Sequence, residues 1–150
     1  LESSSQPIKY LAWFGQGDKY SLWMDLSFRD ESCYLDQADW DNLPLDKKDA
    51  IRHKFLPGAQ GKLYTCHAAV DTLQGIVKVM ADELGIEMTG ANSWVFGIGH
   101  IEKGKIRTYF YPATRRDYAR RFPDHPWDNA YEGPSRWITI LPQANAGMDK

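Results

Sequence analysis

Only two cysteines, Cys33 and Cys66, occur in the 150 residues. Two thiols in a chain of this length make no disulfide framework, so both are read as free in a reducing compartment. No apolar run approaches the roughly eighteen residues that a membrane span requires, and Leu1 to Gln6 lacks the basic and apolar regions of a signal peptide. No membrane association is therefore expected. The expected setting is the cytoplasm, or a domain of a larger or secreted effector protein. Cys-x-x-Cys and His-x-x-x-His pairs are missing, and Asp36, Asp39 and Asp41 do not follow the ligand spacing of an EF-hand loop. The glycine pairs Gly15/Gly17 and Gly97/Gly99 lack the third glycine of a dinucleotide fingerprint. Neither metal nor cofactor is expected. The net charge of −2 also argues against a generic polyanion binder, so nucleic acid is not the expected partner.

What is present is an ordinary globular composition, 43% apolar and 25% charged, in a length that suits one domain over residues 1–150. Polar tails are expected at 1–7 and 143–150. Ile8 to Phe14 and Tyr20 to Phe28 flank a glycine-containing loop and read as a hairpin. Lys47 to Phe55 reads as a short helix with Asp46 at its N-cap. From Tyr64 to Leu84, apolar residues recur at steps of three and four, which predicts one long amphipathic helix with Thr65 as N-cap and Gly85 as its left-handed stop. Ser93 to Ile101 and Ile106 to Tyr111 predict a second hairpin. Thr114 caps a helix over Arg115 to Phe122, with Asp117 at the capping-box position, and Arg136 to Leu141 reads as a last strand. The expected fold is α+β: an antiparallel sheet of five or six strands with the long central helix packed on one face.

Charge is unevenly spread. Eight acids lie between Asp25 and Asp49, whereas Glu102 to Arg121 carries Lys103, Lys105, Arg107, Arg115, Arg116, Arg120 and Arg121 against two acids. Trp23 falls on the polar face of its strand and Trp40 in the acidic segment. Such a chain suits a non-enzymatic protein-interaction module, an inhibitor, immunity or adaptor protein, that binds a protein or peptide through Trp23 and Trp40 or through Arg115, Arg116 and Arg120. Its oligomeric state is left open.

A second expectation comes from Gln60-Gly61 and Cys66-His67-Ala68. A cysteine opening a helix gains thiolate character from the unsatisfied amides there. The pattern Gln-Gly-x-x-x-x-Cys-x-Ala resembles the active-site segment of papain-like cysteine hydrolases. The resemblance implies a thiol-dependent hydrolase, acyltransferase or deamidase acting on an amide or thioester. Cys66 would be the nucleophile, Gln60 the oxyanion donor, His100 the base and Asp117 the orienting acid. The same residues also read as core: Cys66 belongs to the apolar stripe, and His100 shares a strand face with Trp94, Phe96 and Ile98.

Overall fold

Alternation, rather than helical period, governs the stretch that ends at Tyr64. A computed structural model of the chain describes residues 6–23, 34–127 and 133–143. Its elements in chain order are Ile8–Phe14 (β1), Gln16–Gly17 (β2), Leu22–Trp23 (β3), Tyr34–Leu35 (β4), Gln37–Asp41 (α1), Leu45–Arg52 (α2), Phe55–Tyr64 (β5), Ile76–Leu84 (α3), Glu87–Ala91 (β6), Val95–Glu102 (β7), Lys105–Pro112 (β8), Arg115–Arg121 (α4) and Trp137–Ile140 (β9). In β5, Phe55, Ala59, Gly61 and Leu63 are buried while Gln60 is exposed and Lys62 and Tyr64 are half-buried. Successive side chains of a strand point to opposite faces, which produces this period of two.

The chain mixes helices and strands as expected, but the long helix does not form. Asp71 Oδ1 accepts from the backbone amides of Leu73 and Gln74 at 3.0 and 2.9 Å. That local turn replaces helix over 71–74, while the amides of His67 and Ala69 bond the Ser93 and Ala91 carbonyls instead of a helical partner. The helix starts only after Gly75, which takes an extended N-cap conformation at φ −72°, ψ 169°. A side chain at Gly75 would meet the Lys19 carbonyl at 2.7 Å, so glycine is needed there for close approach. The expected stop does hold: Gly85 is left-handed at φ 66°.

Among the described residues the main sheet has four strands in the order β1-β5-β6-β9, with β1, β5 and β6 mutually parallel and β9 antiparallel to β6. This corrects the antiparallel sheet of five or six strands. Parallel neighbours need crossover connections, and α1 with α2, then α3, supply them. Among the described residues β1 pairs with β5, and of the expected second strand Leu22–Trp23 joins the short ladder β2-β3-β4. Met24 to Phe28 and Cys33 lie outside the described residues, as do most of the expected tails. The second hairpin forms as read: β7 and β8 pair from Val95↔Pro112 to Glu102↔Lys105. Its two-residue turn places Lys103 at φ 50° and Gly104 at φ 75°, the left-handed pair that a tight hairpin requires.

One face of the main sheet carries the core. Leu63 and Met88 meet Val77, Ala81 and Leu84 of α3, all within 4% of full burial. A smaller cluster of Phe96, Ala113 and Tyr118, backed by Trp94 and Trp127, joins the hairpin base to α4. The opposite sheet face is built from the alternate residues of the same strands. Register places Tyr10 and Phe14 of β1, Lys62 and Tyr64 of β5, Thr89 of β6 and Trp137 of β9 together there.

Candidate functional site

Cys66 lies two residues past the carboxyl end of β5 and lines a cleft of about 290 Å³ with Phe14, Gln16, Tyr64, Val95 and Phe110. Ligands of open α/β sheets gather at the carboxyl ends of the strands, because the chain must leave the sheet there and opens a crevice. The thiol is half-buried, and the Val95 amide donates to its Sγ at 3.4 Å. Burial pushes the Cys66 thiol above its ordinary pKa, with the Val95 hydrogen bond partly opposing the shift. It lies nine positions before Gly75, the N-cap of α3, so it does not open that helix. The expected activation by helix amides is therefore absent, since the first turn of the expected helix is strand and turn instead.

The other residues of that expectation lie elsewhere. His100 stands five residues beyond Val95 along β7, about 17 Å at roughly 3.3–3.4 Å per residue. It is exposed and stacks on Tyr109, ring centroids 4.7 Å apart. Gln60 lies on the sheet face opposite α3 and donates to Glu87 Oε1 at 2.9 Å. Asp117 accepts from the Thr114 amide and hydroxyl at 2.9 and 2.8 Å, completing the capping box of α4. Those bonds hold the Asp117 carboxyl below the usual carboxylate range. Of the four residues, only Cys66 is in the cleft.

His67, immediately after the cysteine, adopts φ 57°, a left-handed conformation uncommon outside glycine. Its amide donates to the Ser93 carbonyl at 2.9 Å and its ring meets Trp94 edge-on at 4.9 Å. The turn thus ties the end of β5 to the chain leaving β6. Thr65 is 1% exposed, and its hydroxyl has no hydrogen-bond partner among the described residues. No group of three His, Cys, Asp or Glu among the described residues is placed to hold a metal ion.

The rings around the cleft come from four strands. Phe14 and Tyr64 stack with centroids 4.4 Å apart and planes 6° from parallel. Phe110 tilts against both at 5.4 Å, and Trp137 meets Tyr64 edge-on at 5.6 Å. Lys62 extends over Trp137 at 4.0 Å and Tyr64 at 5.0 Å. Tyr10, on the same sheet face, has its pKa pushed up to about 12 by burial and by its hydrogen bond with Tyr64. Tyr10, Phe14, Tyr64 and Trp137 were not singled out as site residues from sequence. Their signal was the i, i+2 and i, i+4 spacing of Tyr10/Phe14 and Lys62/Tyr64, legible only once both segments are known to be adjacent strands.

On the other side of the hairpin, Phe96, Ile98, Tyr111, Arg120 and Arg121 line a second cleft of about 240 Å³ with Asp117 at its rim. Arg121 sits over the Phe96 ring at 4.9 Å. Arg115, Arg116 and Arg120 are exposed on α4. Every residue from Gly97 to Phe110 is exposed, including Ile101 at 76% and Ile106 at 80%. Of the two acids in this segment, Glu102 pairs with Arg107 at 3.1 Å and Asp117 is engaged in the cap.

Trp40 is not the outward anchor expected of it. It is half-buried against the core, its indole N–H donates to Glu83 and Arg52 lies over its ring. Asp36 and Asp39 form the capping box of α1. The Trp23 side chain lies outside the described residues. Among the described residues no helix is long and apolar enough to cross a membrane. Compared with protein-family models, with curated proteins and with solved structures, the chain finds no match.

Proposed function

We propose that the protein is a non-enzymatic interaction module that holds an acidic partner protein against its β7–β8 hairpin and α4. The observation that carries this reading is the projecting hairpin, whose tip exposes the cross-strand pair Ile101 and Ile106 between Lys103, Lys105 and Arg107. Exposed apolar groups rimmed by charge mark contact surfaces, because leaving them in water is unfavourable and burying them on a partner is not. The arginines of α4 extend the same positive field and would steer an acidic surface into place. The partner-binding role of Arg115, Arg116 and Arg120 belongs to this proposal. That of Trp40 does not, since its ring already packs on Arg52 and the core.

The test compares wild type with Ile106→Asp and with Arg120→Glu/Arg121→Glu in quantitative co-precipitation at low and high salt. Both variants change exposed side chains and are expected to fold. Wild type should retain specific proteins, each variant should lose them, and raising salt to about 0.5 M should weaken capture as screening shortens the reach of the charges. Identical capture by all three proteins, or captured material that disappears on nuclease treatment, refutes the reading.

A second reading is thiol-dependent hydrolysis of an amide or thioester at Cys66. What favours it is the cleft at the carboxyl end of β5, which gives the thiol room for a substrate. What weighs against it is a thiol that burial holds in its protonated form, with His100 five residues along β7 from the Val95 amide that bonds Sγ. An electrophilic acyl probe decides: rapid labelling of Cys66 at pH 7, abolished by His100→Ala, would restore it.

A further inference from the structure

The aromatic cleft between β1, β5 and the hairpin is a separate feature from the basic hairpin surface. Its walls are flat rings: the Phe14–Tyr64 stack, with Phe14 60% exposed, and Phe110 tilted across its end. A 290 Å³ space bounded by rings suits a planar ligand of one or two fused rings. Gln16 adds a side-chain amide that both donates and accepts, and Thr65 adds a buried hydroxyl with no partner among the described residues. A buried polar group left unpaired is costly, so a ligand edge that completes it gains affinity. Gly17 allows this arrangement, since a Cβ there would lie 2.8 Å from Thr65 Oγ1. Lys62, over Trp137 and Tyr64 on the adjoining sheet face, places a cation beside the rings.

We infer that this cleft binds a nucleobase, stacked on the exposed ring of Phe14, which Tyr64 backs from behind, with its polar edge toward Gln16 and Thr65 and the attached phosphate toward Lys62. Every base has a π-face, and stacking on exposed aromatic side chains is how unpaired bases are held on open sheets. The net charge of −2 weighs against a long duplex polyanion but not against one base with one phosphate. The same chemistry is offered by a free nucleotide and by an unpaired base of a single strand.

Isothermal titration of the whole protein with AMP, with UMP and with a short oligo-dT tests the inference, with indole as a control of shape without polar edge. A parallel readout is maleimide labelling of Cys66, followed by peptide mass spectrometry, because a bound base would cover the thiol on the cleft wall. At least one nucleotide probe should bind saturably and slow Cys66 labelling. Phe14→Ala, an exposed change, should weaken binding roughly 5- to 150-fold, the range expected for losing one base–aromatic stack. Lys62→Ala should weaken AMP but not adenosine. Tighter binding of oligo-dT than of a mononucleotide identifies a strand as the source, and the converse identifies a free nucleotide. No binding by any nucleotide probe, equal binding by Phe14→Ala, or indole binding alone overturns the inference. Arg120→Glu/Arg121→Glu leaves the cleft untouched and should bind the probes normally, so failure of the hairpin reading and failure of this one are distinguishable.

Discussion

Gly90→Ala is the most direct probe of how α3 seats on the sheet. Gly90 lies in β6, fully buried, with its missing side chain facing α3. A Cβ built there would sit 2.6 Å from Val77 Cγ2, 3.2 Å from the Ala68 Cβ and 3.4 Å from the Ala69 Cβ. Carbon atoms settle at about 3.5–4.0 Å, so the added methyl overlaps Val77 by about 1 Å. Ala68 and Ala69 belong to the turn pinned to β6 by the Ala69 amide on the Ala91 carbonyl at 2.9 Å, so the sheet side cannot yield and α3 must move. Overpacking of this kind costs about 1–3 kcal/mol, against about 0.5–1 kcal/mol gained by replacing glycine inside a strand. The expected net loss is about 1–2 kcal/mol. In a chain of this size that lowers the melting temperature by roughly 2–8 °C, read by urea unfolding and thermal circular dichroism. Val77→Ala alone should cost about 1.5–3 kcal/mol, because Val77 is 0% exposed. In the double variant the two losses should not add, since removing Cγ2 makes room for the new methyl, and the coupling should reach at least about 0.5 kcal/mol. A neutral Gly90→Ala, or strict additivity, would show that α3 does not rest on β6 and would refute the core packing described here.

Cys66 should alkylate slowly at pH 7 and reach half its maximal rate above the ordinary cysteine value of about 8.5, because burial favours the thiol. Labelling that is fast and flat from pH 6 upward would contradict this. Asp117 reports its capping role through pH. Its folded pKa is depressed, so its stabilisation is present above the unfolded value of about 3.9 and is lost as pH falls through the lower folded value. Asp117→Ala should therefore cost about 0.5 kcal/mol at pH 7, the low end for caps because the carboxylate is solvated, and nothing near pH 2. An equal cost at both values would assign Asp117 another role.

Some local punctuation was legible in the sequence and long-range pairing was not, while Asp46 and Thr65 failed as N-caps because α2 starts after Pro44 and α3 after Gly75. Gly85 as a left-handed stop, Thr114 with Asp117 as a capping box and the Lys103-Gly104 turn depend on neighbours within four residues, and all three stand as read. The helix from Tyr64 failed because a stripe at steps of three and four was traced through Cys66, Val70 and Leu73, which lie in two successive turns, one tied to Ser93 and Ala91 by the amides of His67 and Ala69 and the other closed by Asp71. The true signal upstream was the alternation of Ala59, Gly61 and Leu63. That alternation was masked by Pro57 and Gly58, which read as a break. Parallel pairing of β1 with β5 joins residues about fifty positions apart, and a hairpin between near neighbours was the lower-entropy guess.

The same physics explains the site. Catalytic residues were sought along the sequence by spacing, and the chain delivered Cys66 alone to the cleft, with Gln60 turned to Glu87, His100 to Tyr109 and Asp117 to Thr114. What the fold does assemble is a set of rings from strands far apart in sequence: Phe14, Tyr64, Phe110 and Trp137. Each looks like an ordinary strand aromatic by itself. They converge because β1 and β5 run parallel and in register, Phe14 beside Tyr64, so that both rings leave the sheet at its carboxyl edge where the hairpin rises. A shift of one residue in that register would put Phe14 on the sheet face opposite Tyr64. The cleft is thus a direct consequence of the parallel pairing, and the feature hardest to read from sequence is the one on which ligand binding depends.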